Sequence, residues 1–376
     1  MGTSKRFEYI DALRGIAILG VILTHSASLV QLTGMARQLT NILGMGVQLF
    51  FVISAFTIFN SLSQSIGKEH MFRDFFIKRL FRIIPVYWFG IFLYTVVYGL
   101  DSRGWREGPE LWHYPYHIFL TNVLHPLTSS SVVPGGWSIS VEVLFYMIAP
   151  FIFLYINSTK RLTIFMAFAL IALPLGNIML KKYAIQTFFS DYDSRTVNNF
   201  FFRWPVSQLA CFGFGLVMYR IIESKKQLQY LKSDVINKVL IVLTISLIFG
   251  SIFLPKIIQQ HHVVSFLFMC LGILLSVTPW EILVNKATVY MGRISYSSYL
   301  VHFLVVNQLY LAIIKFTPQL TDNKYIFFIV LSLFSITLTI PFANLGFKYI
   351  ETPSIEWGRN LIRKLNKKRE SLHIRN

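Results

Sequence analysis

Charge is scarce in this chain. Of 376 residues only 14% are charged, against about 25% in an ordinary soluble domain. Asp and Glu together number 17. They form no carboxylate–metal cluster of the kind that transferases using lipid-phosphate sugar donors recruit. Cysteine is rarer still. Cys211 and Cys270 both fall in apolar runs, which excludes a disulfide framework and a metal-ligand pattern and leaves them as small packing residues. No metal is expected. There is no low-complexity linker, no second soluble domain and no internal repeat, and this last absence counts against a proton-coupled transporter.

Apolar length takes the place of charge. Hydrophobic residues make up 54% of the chain and aromatics 16%. A membrane span needs about 20 mostly apolar residues, and runs of that kind occur at 10–30, 41–61, 83–100, 139–156, 162–180, 204–222, 236–254, 263–279, 294–314 and 326–347. Segment 116–127 is too short and too polar to add another. The first run is too long for a cleavable signal peptide and carries Asp11 and Arg14 at its N-terminal end. The expected fold is therefore all-α: a polytopic transmembrane helical bundle with about ten spans, occupying residues 1–358 and followed by a basic tail, 359–376.

A net charge of +18 raises the question of nucleic acid, but its distribution answers otherwise. Most Lys and Arg fall in segments on the same side as the N-terminus. That asymmetry is the positive-inside rule and predicts both termini in the cytoplasm of a bacterial inner or plasma membrane. The tail residues Arg359, Lys364, Lys367, Lys368 and Arg369 suit anionic headgroups of the lipid bilayer. No groove-reading motif accompanies them, and no nucleic-acid partner is expected.

Ionisable residues inside spans cost about 2.5–3.5 kcal/mol each by insertion scales, and so point to function. The first span contains Asp11, Arg14 and His25. Arg14 and His25 are about three helical turns apart, on one face and separated by about 16 Å along the axis. Asp11, about 21 Å from His25, cannot touch it within the same helix. Arg14 alone also suits a snorkelling interface residue, and His25 a hydrogen-bonded packing histidine. Ser54 and Thr57 are sparse hydroxyls that by themselves say little. Lys78, Arg79 and Arg82 open the third span beside aromatics. They suit a phosphorylated donor, since guanidinium groups match phosphate bidentately, and equally a topology signal. Between the third and fourth spans lie Trp105, Trp112, His113, Tyr114, Tyr116, His117 and His125, then the turn Pro134-Gly135-Gly136. This aromatic surface suits a carbohydrate or an interfacial belt. Ser138 and Glu142 follow, one helical turn apart and able to face one pocket.

These segments together resemble the acyltransferase-3 family. Its D-x-L-R-G opening and Arg-x10-His are Asp11 to Gly15 and Arg14 with His25. Its F-F-V-[LI]-S-G-F is Phe50 to Phe56, and its R-x-x-R-I-x-P-x-Y is Arg79 to Tyr87. Its W-S-L-S-V-E-x-x-F-Y is Trp137 to Tyr146. Its G-x-I-S-Y-S-x-Y-L-x-H is Gly292 to His302, and its E-x-P is Glu351 to Pro353. Ala55 stands where the family has glycine, and Val143 where a second acidic residue is common. Some relatives append an extracytoplasmic serine-hydrolase domain. Residues 352–376 leave no room for one, so the expectation is the stand-alone branch.

The resemblance implies a membrane O-acyltransferase that moves an acyl group, usually acetyl from acetyl-CoA, from cytoplasmic acyl-CoA to a hydroxyl of a cell-surface or lipid-linked glycan. Carried onto this chain, Lys78, Arg79 and Arg82 would meet the CoA phosphates and Arg14 would polarise the thioester carbonyl. His25 would act as general base. Glu142 would bind or activate the acceptor, with Trp137 and Trp112 on the acceptor side. Asp11, Ser138, Tyr146 and His302 would support them. Direct transfer and an acyl-histidine relay both fit. A small-molecule, lipid or peptide acceptor and a proton-coupled transporter are the alternatives.

Overall fold

A computed structural model describes residues 7–103, 107–224, 228, 231, 233–255 and 259–373, the last six of these as backbone only. Trp105 and the side chains of Lys368 and Arg369 lie outside the described residues. Every element is helical: α1 (Glu8–Leu29), α2 (Gly34–Gly44), α3 (Gly46–Ser63), α4 (Met71–Tyr98), α5 (His113–Ile118), α6 (Gly136–Tyr155), α7 (Thr159–Ala167), α8 (Leu173–Thr187), α9 (Ser194–Arg203), α10 (Pro205–Glu223), α11 (Asp234–Gly250), α12 (Gln260–Val277), α13 (Lys286–Arg293), α14 (Ser295–Phe316), α15 (Lys324–Gly346) and α16 (Thr352–His373). Among the described residues, ten helical stretches are long and apolar enough to cross a membrane. The sequence expectation of about ten spans holds, with shifts at two places. The third span, α4, begins at Met71 rather than near residue 83, so its basic turns continue the same helix. The last span runs on through a π-helical turn, Phe347–Glu351, into α16, which packs against α4.

Chain direction alternates, so the ends of the bundle can be named by position. The basic end carries the starts of α1, α4 and α14 together with α16. The loop end carries α5 and the starts of α6 and α15. At the centre stands α1, packed against α2, α3, α12, α13, α14 and α15. It gets this close because its neighbours meet it backbone to backbone. A Cβ on Gly292 would fall 1.7 Å from the Asp11 carbonyl oxygen, and one on Gly15 would fall 2.1 Å from that of Thr288. Lipid is as apolar as leucine, so small residues at such contacts are what hold membrane helices together. A second close contact joins α3 to α10. A Cβ on Gly215 would fall 2.7 Å from the Ala55 methyl. Ala55 is thus accommodated by a glycine on the facing helix.

Gly292→Ala should force the α1–α13 contact apart, because the obstacle is backbone and cannot rotate away. Overpacking of this kind costs about 1–3 kcal/mol or more. Thermal unfolding in detergent should show a lowered Tm for Gly292→Ala and none for Gly250→Ala, whose Cβ meets nothing within 4 Å.

Candidate active site

Three arginines converge inside the bundle. Arg14 from α1, Arg79 and Arg82 from α4, Ser54 from α3, Ser138, Glu142 and Tyr146 from α6, and Tyr296 and Tyr299 from α14 line one cavity of about 70 Å³. Glu142 carries the negative charge among the lining residues. Its Oε1 accepts from the Tyr146 hydroxyl at 2.6 Å and from the Ser54 hydroxyl. The Arg79 guanidinium lies over the Phe75 and Tyr146 rings, 5.6 Å from each centroid. Arg14 Nη1 donates to Asp11 Oδ1 at 3.4 Å. Arg82 lies in the field of Glu142, Glu351 and Asp11.

Spacing along the chain had set Glu142 at the loop end and the arginines at the basic end. The structure joins them because Arg79 and Arg82 lie more than two turns inside α4, which starts at Met71, while Glu142 occupies the second turn of α6. Lys78 does not line this cavity. Two residues that motif position singled out only weakly are built into the site. Ser54 holds Glu142, and Glu351, buried in the π-helical turn, accepts from the Ser297 hydroxyl at 2.7 Å. Single-turn π-helical segments recur at functional sites. Glu351 carried a sequence signal in Glu-x-Pro but no assigned role.

His25 stands apart from this cavity, nearer the loop end. Its ring packs on Phe303 and His302, with centroids 4.1 and 5.4 Å away. The fully buried His302 donates from Nδ1 to the Tyr299 carbonyl at 2.6 Å, and this fixes Nε2 as its lone-pair end in the neutral ring. Tyr299 also shares a hydrogen bond with Ser138 at 2.8 Å, so one residue touches both the cavity and the histidine pair. The Asp11 carboxylate meets Arg14 rather than His25.

The candidate acceptor residues divide. Trp137 is buried, packed on Phe51 and Phe202, with the Arg203 guanidinium 5.8 Å from its ring centroid. It supports the cavity wall and does not line it. Trp112 is exposed at the loop end and clusters with His113, Tyr116 and His125. The loop carrying it is anchored by His117, which shares a hydrogen bond with Tyr87 at 2.8 Å and donates to the Thr128 carbonyl at 2.8 Å. Burial pushes the His117 imidazole down to about 3, so it stays neutral and keeps this anchor at ordinary pH. The anchor sets the start of α6 as well. Gly135 adopts φ +76°, and a Cβ on Gly136 would fall 2.5 Å from the Tyr87 hydroxyl oxygen.

The chain is similar to several known proteins. A "Putative O-acetyltransferase" of Staphylococcus aureus (strain COL) is 25% identical over 93% of this chain, which spans 58% of that relative's length. A "Putative acetyltransferase" of Acidianus two-tailed virus is 25% identical over 79% of this chain and 82% of its own. A "Putative peptidoglycan O-acetyltransferase" of Bacillus subtilis (strain 168) is 27% identical over 38% of this chain and 23% of its own. No solved structure matches. The family model described as an acyltransferase domain matches residues 7–346, nearly the whole chain with Arg14, Glu142 and His302 inside it, and the chain belongs to the acyltransferase-3 family.

Proposed function

We propose that this protein is a membrane O-acyltransferase. It takes an acyl group, most simply acetyl, from acyl-CoA at the basic end and esterifies a hydroxyl of a cell-surface or lipid-linked glycan at the loop end. The observation that carries this reading is the convergence of Arg14, Arg79 and Arg82 on one cavity with Glu142. Thioester attack builds negative charge on the carbonyl oxygen, and fixed donors in a dry site stabilise it strongly. Arg14 is the candidate for that role. Arg79 and Arg82 are candidates for the donor's phosphates, with Lys78 adding charge nearby. Glu142, held by Ser54 and Tyr146, would orient the acceptor hydroxyl, and His25 with His302 would take its proton. The exposed aromatic cluster at Trp112 offers ring faces to sugar. The relatives named for O-acetylation, one of them on peptidoglycan, support a glycan acceptor. The basic end would face the cytoplasm, where acyl-CoA is made.

Arg82→Ala should weaken binding of a non-hydrolysable acetyl-CoA analogue by about 10- to 150-fold, the equivalent of one charge-assisted bond of about 1.5–3 kcal/mol. Arg82→Lys should recover only part of this, because the bidentate fork is lost. Glu142→Gln keeps the hydrogen bonds of Ser54 and Tyr146 within reach and removes a negative charge beside the arginines. Analogue binding should hold or tighten while transfer stops. Equal binding by all three variants and wild type would reduce the arginines to a topology signal.

His25→Gln should abolish ester formation on surface glycans, read by mass spectrometry, with membrane abundance unchanged on immunoblot. Normal acylation by a well-expressed His25→Gln protein would remove His25 from the chemistry.

Orientation is checked by cysteine labelling in a Cys211→Ser, Cys270→Ser background. Leu111, 74% exposed at the loop end, and Ile66, 66% exposed at the basic end, serve as reporters. An impermeant maleimide on intact cells should label Leu111→Cys and spare Ile66→Cys; the reverse pattern inverts the topology.

A further inference from the structure

Buried polar atoms without partners gather in one place. Among the described residues eleven such side-chain atoms occur, and seven belong to three helices packed on one another. Tyr9 Oη lies at the basic end of α1; the other six are Ser26 Oγ of α1, Ser298 Oγ and His302 Nε2 of α14, and Ser332 Oγ, Ser335 Oγ and Thr339 Oγ1 of α15. All six residues are at most 3% exposed. Orphaning a buried polar atom is destabilising, so a concentration of them calls for a cause. Ordinary helix geometry does not supply one. On the lipid side of the same α15, Thr337 bonds back to the Leu333 carbonyl at 2.8 Å, as serines and threonines in apolar helices do. The buried hydroxyls do not.

Their alignment is ordered. Ser332, Ser335 and Thr339 share the buried stripe of α15, which faces α14 and α1. Two contacts fix the antiparallel register of α14 and α15. Tyr310 stacks on Phe327, centroids 5.6 Å apart, and Gly346 lies against Ser297. Thr339 therefore sits level with His302, with Ser335 and Ser332 one and two turns further toward the loop end. The three hydroxyls span about 10 Å along the axis. At the inner end His302 presents the lone pair of Nε2, beside His25.

We propose that this file of buried hydroxyls, bridged by water, is a proton path between the His25–His302 pair and the loop end of the bundle. The proposal rests on the acyl-transfer reading, which creates the need for it. The thioester C–S bond breaks and an ester C–O bond forms. The acceptor's O–H proton passes to an imidazole, and sulfur leaves with the bonding pair as a thiolate that takes up a proton from water on the donor side. The imidazolium must then release its proton before the next turnover. All six residues are buried and their polar atoms lack protein partners, which is the kind of site that buried water satisfies.

Two measurements test it. First, Thr339→Val and Ser335→Val remove a hydroxyl, whereas Thr339→Ser and Ser335→Thr retain it. Surface-glycan acetyl ester formed per unit time, read as alkali-released acetate at matched protein level, should fall about tenfold or more in both Val variants, the scale of lost proton transfer. The hydroxyl-retaining variants should stay near wild type. Second, in the cysteine-free background, silver ion applied to membranes should protect Ser335→Cys from maleimide added after unfolding. It should leave Leu333→Cys, 61% exposed to lipid, unprotected. Full activity in both Val variants, or a Ser335→Cys that silver does not reach, overturns the path. If wild-type cells carry no more ester than a deletion strain, the acyl-transfer reading falls, while the silver measurement still reports whether water enters.

Discussion

The burial of guanidinium charge within the bundle constrains everything else in this structure. Arg14, Arg79 and Arg82 sit where lipid-exposed protein would tolerate none of them, and such charges persist only when paired and hydrogen-bonded. The carboxylates that compensate them come from distant parts of the chain: Asp11 from the same helix, Glu142 from α6 and Glu351 from the π-helical turn after α15. Two of the three are in turn fixed by hydroxyls, Ser54 and Tyr146 for Glu142 and Ser297 for Glu351. Satisfying the charges therefore ties together α1, α3, α4, α6, α14 and the end of α15. The same pairing that makes the site tolerable in the membrane also positions it.

Two levels of the bundle meet at Tyr299, which lines the arginine cavity and packs on His302. Below it the arginine cavity is positively charged and suited to an anionic donor and a developing oxyanion. Above it the histidine pair packs on the aromatic rings of Phe303 and Tyr299. A reaction that must accept charge on one side and remove a proton on the other needs both environments close together yet distinct. Helix α1 supplies one residue to each, about three turns apart.

Much of this was legible in the sequence. The spans followed from apolar run length, and Arg14, His25 and Glu142 stood out as ionisable residues in apolar surroundings. The start of α4 was not legible, because Arg73, Lys78 and Arg79 break the apolar run although the helix continues through them. Nor was the meeting of Glu142 with Arg79 and Arg82, which depends on how deeply two antiparallel helices overlap. Ser54 carried no signal of its own, since a lone hydroxyl in a span usually serves its own helix. The stripe of Ser332, Ser335 and Thr339 has helical spacing, but which face of α15 is buried is decided only by its neighbours.

The contact between Ala55 and Gly215 bears on how motifs in this family are to be read. The family's glycine is absent from α3, yet the close approach it would permit is present, because the missing methyl is on α10 instead. What the interface requires is one empty position shared by two helices, and either helix can provide it. In this chain the empty position lies at Gly215, 160 residues along from Ala55.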